Sequence, residues 1–148
     1  MSVFAWQARV YWEDTDAGGI VYYGNYMRFL ERARTEWLRA KGVWQRRLEQ
    51  EAGVIFTVID LQVRYRLPAR LDDLLWISCE PTLDGGATIA FAQRIWRERI
   101  EGELLLAGVA RAACLDAATL KPRRLPRIVV DALPERTASN SRSSDGGR

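Results

Sequence analysis

Between Val10 and Arg39 the chain reads VYWEDTDAGGIVYYGNYMRFLERARTEWLR. Two aspartates, a glycine pair and an aromatic run lead directly into a helical pattern. These residue types in this order can act on a carbonyl. A carboxylate attacks an electrophilic carbon itself or takes a proton from water. The start of a helix offers unpaired N–H groups and partial positive charge that stabilise the developing oxyanion. The expected catalytic carboxylate is Asp16, and the expected donors are the backbone N–H groups of Tyr23 or Gly24. Gly18 and Gly19 allow a tight turn and keep side chains away from a ligand. Asp14 is expected to brace the loop through the backbone. Turn formation or capping is the competing explanation for an Asp–Gly loop ahead of a helix. A divalent metal is disfavoured, because Gly18, Gly19, Ile20 and Val21 leave too few side-chain oxygens.

Other residues are candidates for binding rather than chemistry. Tyr22, Tyr23 and Tyr26 cluster at the helix entrance and can line a pocket, although core packing already explains Tyr26. Glu31 falls off the predicted core face, within reach of Arg34 and Thr35, where an ordinary ion pair is the competing explanation. Lys121, Arg123 and Arg124 in TLKPRRLP can hold phosphates or simply form a solvated basic run.

These residues need a scaffold. Phe4, Trp6, Ala8, Val10 and Trp12 alternate, so Phe4 to Trp12 is predicted as a strand. Residues 13–24 form a loop, Asn25 is the predicted N-cap, and a helix runs from Tyr26 to Lys41, ending at Gly42. Its core face is Tyr26, Phe29, Leu30, Ala33, Trp37 and Ala40. Four strands are predicted after it. Thr57 to Arg66 directs Ile59, Leu61, Val63 and Tyr65 to one side. Asp73 to Leu83 and Ala87 to Arg97 form a hairpin across Asp84-Gly85-Gly86. Leu104 to Leu115, nearly continuous in apolar and small residues, is predicted as a central strand covered on both faces. One helix covers five strands only if the sheet curls around it, so the expected class is α+β, a five-stranded antiparallel sheet wrapped on a single helix. The outer face would carry Trp76, Trp96 or Phe91, depending on register, which implies an oligomer. The domain is expected over residues 1–134. The Ser-, Arg- and Gly-rich segment 135–148 is expected to be a disordered tail.

Composition excludes several functions. The 148 residues contain no histidine, which removes imidazole catalysis and imidazole metal sites. Cys79 and Cys114 lie far apart in apolar runs, so they read as buried free thiols in a reducing cytoplasm. The formal charge is only +3 and the arginines are scattered, which argues against nucleic acid as a partner. The N-terminus lacks a signal-peptide pattern, and no apolar run is long enough for a transmembrane segment.

Tyr11-x-x-Asp14-Thr15-Asp16-Ala17-Gly18-Gly19-Ile20-Val21-Tyr22, then Asn25-Tyr26 and Glu31 to Leu38, resembles the hotdog-fold acyl-CoA thioesterases. The similarity is to the YbgC-like branch associated with the Tol–Pal envelope system and related to 4-hydroxybenzoyl-CoA thioesterase. It continues through Tyr65-x-x-Pro68-Ala69-x-Leu71-Asp72-Asp73 and Leu115-Asp116-x-x-Thr119-x-x-Pro122, nearly the whole domain. The resemblance implies a hotdog fold forming homodimers or dimers of dimers (a homotetramer), with sites between subunits. It implies hydrolysis of acyl-CoA to free acid and CoA without metal or cofactor. Asp16 takes the catalytic aspartate's position, Tyr23 that of the carbonyl-polarising N–H, and Glu31 a family hallmark. Gly19, Tyr22, Tyr26, Glu31, Arg123 and Arg124 become expected substrate contacts. Where YbgC-like members usually carry histidine, this chain has Tyr23, as in the 4-hydroxybenzoyl-CoA branch; a backbone donor survives that change. Hotdog dehydratases and hydratases typically use a histidine that this chain lacks. A non-catalytic acyl-carrier-binding or envelope scaffold protein of the same fold is the remaining alternative, and an acyl carrier protein is the alternative carrier.

Overall fold

A computed structural model describes residues 3–134. The expected tail, 135–148, lies outside the described residues. The elements are β1 (Ala5–Arg9), α1 (Tyr26–Ala40), α2 (Gln45–Ala52), β2 (Val54–Tyr65), β3 (Leu74–Ser78), β4 (Glu80–Leu83), β5 (Thr88–Arg97), β6 (Glu103–Asp116) and α3 (Arg127–Ala132). All strand pairs are antiparallel. The sheet runs β1-β3-β5-β6-β2, with β4 also pairing with β5. No described helix is long and apolar enough to cross a membrane.

The α+β class and hotdog layout stand, with six strands rather than five. The segment expected as one strand from Asp73 to Leu83 divides at Cys79 into β3 and β4. The β4–β5 hairpin closes through Asp84 N–H to the Thr88 carbonyl at 2.8 Å. The first strand is shorter than expected. The Asp14 carboxylate accepts the Tyr11 N–H at 2.8 Å and turns the chain into a 3-10 turn at Trp12–Asp14, which leaves Trp12 82% exposed rather than on the sheet face. The two short helices α2 and α3 were not predicted. Gly53 ends α2 at φ +66, a conformation glycine adopts without penalty, and was the available signal.

Helix α1 lies across the concave face of the sheet. Tyr26, Phe29, Leu30, Ala33, Trp37 and Leu38 are buried. Ala40, assigned to the core face from periodicity, is exposed, and Leu38 fills that role instead. Two apolar clusters result. One gathers Phe29, Leu30 and Ala33 with Leu75, Ile77, Ile95 and Leu106. The other gathers Trp37 and Leu38 with Ile89, Phe91, Ala112 and Cys114. Phe91 packs edge-on to Trp37 inside, so the register gives the outer face the Trp76–Trp96 pair, with Trp76 half-buried and Trp96 6% exposed.

Strand β6 is central, between β5 and β2, but only its helix-side face is covered in this chain; Val109 is 40% exposed. Its small residues admit close strand approach. A Cβ at Gly108 would stand 2.6 Å from the Gln62 carbonyl oxygen. Strand β2 is the sheet edge. A register shift between Val58 and Asp60 breaks the expected alternation and leaves Ile59 at the bulge. Val58, Ile59, Leu61 and Tyr65 are exposed along this edge.

Candidate active site

The loop ahead of α1 folds as a small hairpin. Thr15 bridges Val21, and the Asp16 N–H donates to the Ile20 carbonyl at 2.8 Å. The Gly19 N–H returns to the Asp16 carbonyl at 3.0 Å, with Gly19 at φ +76, where a side chain would be strained. The hairpin docks on the 69–71 segment through the Val21 N–H to Ala69 carbonyl bond at 2.9 Å and an Ile20–Arg70 bridge.

The two aspartates separate by environment. Asp14 is tied down as expected: its carboxylate accepts from Tyr11, and its carbonyl accepts the Tyr22 N–H at 3.1 Å and the Asn25 Nδ2 at 2.8 Å. Asp16 sits at the hairpin tip. Its Oδ1 accepts the Gly18 N–H at 2.8 Å, an Asx turn, and the residue is exposed. On a single chain this carboxylate is at the surface, flanked by glycines and an exposed Ala17.

The helix entrance departs from expectation. Asn25 does not cap α1 through its side chain; that amide is spent on Asp14. A 3-10 turn, Tyr23–Asn25, precedes α1 and moves the free end of the helix back to Tyr22–Gly24. The Asn25 N–H bonds the Tyr22 carbonyl at 2.8 Å. Among the described residues, nothing accepts the N–H groups of Tyr23 and Gly24. The hairpin thus carries Asp16 and two unengaged amides on one continuous loop.

Aromatic side chains surround those amides. The Tyr22 and Tyr23 rings lie 4.7 Å apart, and the Tyr26 and Tyr65 rings meet edge-on at 5.4 Å. Tyr26 is buried, and its hydroxyl accepts the Ala69 N–H at 3.0 Å. Burial raises its pKa above the usual tyrosine value, with that N–H bond opposing. Tyr65, expected as a strand residue and a motif position but not as a site residue, donates its hydroxyl to the Tyr23 carbonyl at 3.0 Å. A cleft of about 250 Å³ opens here, lined by Ile20, Tyr23, Tyr26, Tyr65, Leu67 and Pro68 among others.

A second cleft, about 140 Å³, lies between the C-terminal half of α1 and the sheet. Leu38, Phe56, Val58 and Phe91 form its apolar walls, with Glu31, Arg34, Thr35 and Gln45 at the rim. Glu31 does not pair with Arg34. It accepts the Thr35 hydroxyl at 2.8 Å, while Arg34 turns inward to the Gln93 side-chain oxygen at 3.0 Å. Burial lowers the Arg34 pKa below the usual arginine value, opposed by the Glu31 charge. Gln93 donates in turn to the Leu30 and Ser78 carbonyls at 3.0 and 3.3 Å.

The three basic candidates also separate, with Lys121 exposed. Arg123 is drawn into structure, donating to the Ala52 and Gly53 carbonyls at the end of α2 and pairing with Asp116 at 3.4 Å. Arg124 is exposed. The loop to Arg123 is held by Asp116, whose carboxylate accepts the Thr119 and Ala118 N–H groups; these bonds keep its pKa below the usual value.

Comparison with known proteins agrees with this layout. Residues 18–103 match the model of the thioesterase superfamily. An acyl-CoA thioester hydrolase YbgC of Escherichia coli O6:H1 is 45% identical over 129 residues, covering 87% of this chain and 94% of that protein. The crystal structure of a probable thioesterase from Bartonella henselae superposes with a TM-score of 0.76 at 32% identity, over 84% of this chain and all of that one. A 1,4-dihydroxy-2-naphthoyl-CoA thioesterase from Synechocystis has the same fold, with a TM-score of 0.82 at 19% identity over 89% of this chain and 96% of its own.

Proposed function

We propose, from the premise that this chain belongs to the thioesterase superfamily, that it hydrolyses an acyl-CoA thioester to a free acid and CoA using Asp16 and the helix-entrance amides. The observation that carries the reading is the hairpin that joins an exposed carboxylate to the unengaged N–H groups of Tyr23 and Gly24. Those amides receive the thioester oxygen. Asp16 acts on the carbonyl carbon, either by taking a proton from an attacking water or by attacking directly to form an anhydride that water then opens. The carbon–sulfur bond breaks, and the thiolate leaves and takes up a proton. No cofactor enters either route.

An exposed carboxylate needs a covered site. The edge strand β2 borders both clefts, with Phe56, Thr57 and Val58 in one and Tyr65 in the other, and leaves Val58, Ile59 and Leu61 exposed. A second copy seated there closes the site, so the working unit is a homodimer or a dimer of dimers. The acyl group lies along α1, from Tyr22, Tyr23 and Tyr26 toward Glu31, roughly 7.5 Å beyond Tyr26 at 1.5 Å per residue. Gly19 keeps the approach to Asp16 open. Arg124 and Lys121 are the exposed basic side chains left in this segment for the carrier's phosphates, since Arg123 is engaged at the end of α2. The two buried free thiols suit a reducing cytoplasm.

The test is thiol release over a panel of aliphatic and aromatic acyl-CoAs, with the same acyl groups on acyl carrier protein as a second arm. Release from at least one member, abolished in Asp16→Asn, is the expected result. No release from any member would leave the non-catalytic alternative. A single turnover in heavy-oxygen water identifies direct attack with opening of the anhydride at the Asp16 carbonyl: the acid then leaves with an unlabelled Asp16 oxygen and the label enters Asp16, whereas the water route places the label in the acid and none in Asp16.

A further inference from the structure

We infer that Tyr65 is a positioning residue that sets the direction and strength of the Gly24 amide, the second oxyanion donor beside the Tyr23 N–H. This rests on the proposed thioesterase reading of the same site. The contact is a single geometric fact: the Tyr65 hydroxyl donates to the Tyr23 carbonyl at 3.0 Å across 42 residues of sequence. That carbonyl and the Gly24 N–H belong to one planar peptide unit. A donor bound to the oxygen draws electron density from the nitrogen and strengthens the N–H on the other side, as in any hydrogen-bonded amide chain. It also fixes the plane of the peptide, and with it the line along which Gly24 points.

The surroundings favour this role over a mere surface contact. Tyr65 ends β2, the edge strand, whereas Tyr23 opens the helix entrance. The bond is therefore a tie between the sheet and the catalytic loop. The Tyr65 ring packs edge-on against buried Tyr26, whose own hydroxyl is held by the Ala69 N–H, so the phenol has a fixed base. The Tyr22 ring lies against Gly24, 3.1 Å from where a Cβ would stand. The Tyr23–Gly24 peptide is thus contacted by two tyrosines, through a hydrogen bond from Tyr65 and the packing of Tyr22. Its N–H is left without an acceptor among the described residues. A held peptide with an open donor is suited to receive a charge that appears only in the transition state.

The experiment compares the parent, Tyr65→Phe and Asp16→Asn as full-length chains, on whichever acyl-CoA the parent hydrolyses best. Tyr65→Phe keeps the ring and its packing and removes only the hydroxyl. The expected result is a kcat lower by about three- to tenfold with KM within about twofold, a fraction of the 10²- to 10³-fold attached to losing a whole donor. The amide nitrogen resonance of Gly24 should shift in Tyr65→Phe while those of α1 beyond Leu30 stay in place. Unchanged kcat in Tyr65→Phe, with Asp16→Asn inactive, overturns the role of Tyr65 and leaves the thioesterase reading intact. A kcat loss without any change at the Gly24 amide also overturns it, since the effect would then arise elsewhere. A parent that hydrolyses no acyl-CoA removes both.

Discussion

Asn25 and Asp14 clasp the two ends of the loop, the Asn25 side-chain amide donating to the Asp14 carbonyl at 2.8 Å. Asp14 is thereby committed to architecture through three contacts, while Asp16, two residues on, keeps one carboxylate oxygen outside the Asx turn. Backbone geometry engages one of two like residues and leaves the other available, which is the basis of the first prediction.

Asp16→Asn should fold and assemble as the parent does, because the asparagine oxygen still accepts the Gly18 N–H that closes the turn. Turnover should fall by about 10²- to 10⁴-fold, the usual worth of a positioned acid–base group. Steady-state thiol release, with circular dichroism as the folding control, checks it. Parent-like turnover would sink the assignment.

Leu61→Lys should separate the subunits. The side chain is 38% exposed on the edge strand β2, beside Val58 and Ile59, and a charge on an edge opposes strand-to-strand association. Sedimentation velocity should show an oligomer for the parent and a monomer for the variant, with turnover lost alongside. A monomeric parent that is fully active would contradict the shared site.

Gln93→Leu should destabilise the fold by about 2 to 3 kcal/mol, the range for losing a hydrogen bond to a charged group in a buried setting. Gln93 is 2% exposed and links Arg34 of α1 to the Leu30 and Ser78 carbonyls. Urea unfolding should show a lower midpoint at unchanged slope. A shift below about 0.5 kcal/mol, the usual size of a neutral surface change, would mean that Arg34 finds another acceptor.

Cys79 should resist thiol reagents in the native state. Burial pushes its thiol up to about 12 from an ordinary 9.0, with Arg34 opposing and Glu80 reinforcing. Because the folded value is the higher one, the associated stability is complete below pH 9.0 and declines as pH rises from there toward 12. Ellman's reagent should label neither cysteine in the folded protein and both after denaturation. In alkaline unfolding curves, Cys79→Ala should lose less stability than the parent over that interval. Rapid native labelling of Cys79 would show that the core opens there.

The sequence alone determined the order of the long helix and the main strands, though not α2, α3 or the division of β3 from β4, together with the packing of α1 on a curled sheet and the short list from which the site is drawn. Those follow from local signals. Helical spacing placed Phe29, Ala33 and Trp37 on one face, and glycines with Asx chemistry marked the hairpin at Asp16. What remained hidden depends on contacts distant in sequence or on register. The periodicity of α1 did not distinguish Ala40 from Leu38, because which flank is covered depends on where the sheet lies. Division of the strand at Cys79 and the bulge at Ile59 arise from pairing with β5 and β6, not from composition. Arg34 reads as a natural partner for Glu31 three residues along the helix, but burial against Gln93 wins. Only the tertiary structure brings Tyr65 to the Tyr23 carbonyl, since a hydrogen bond spanning 42 residues leaves no periodic trace in the chain.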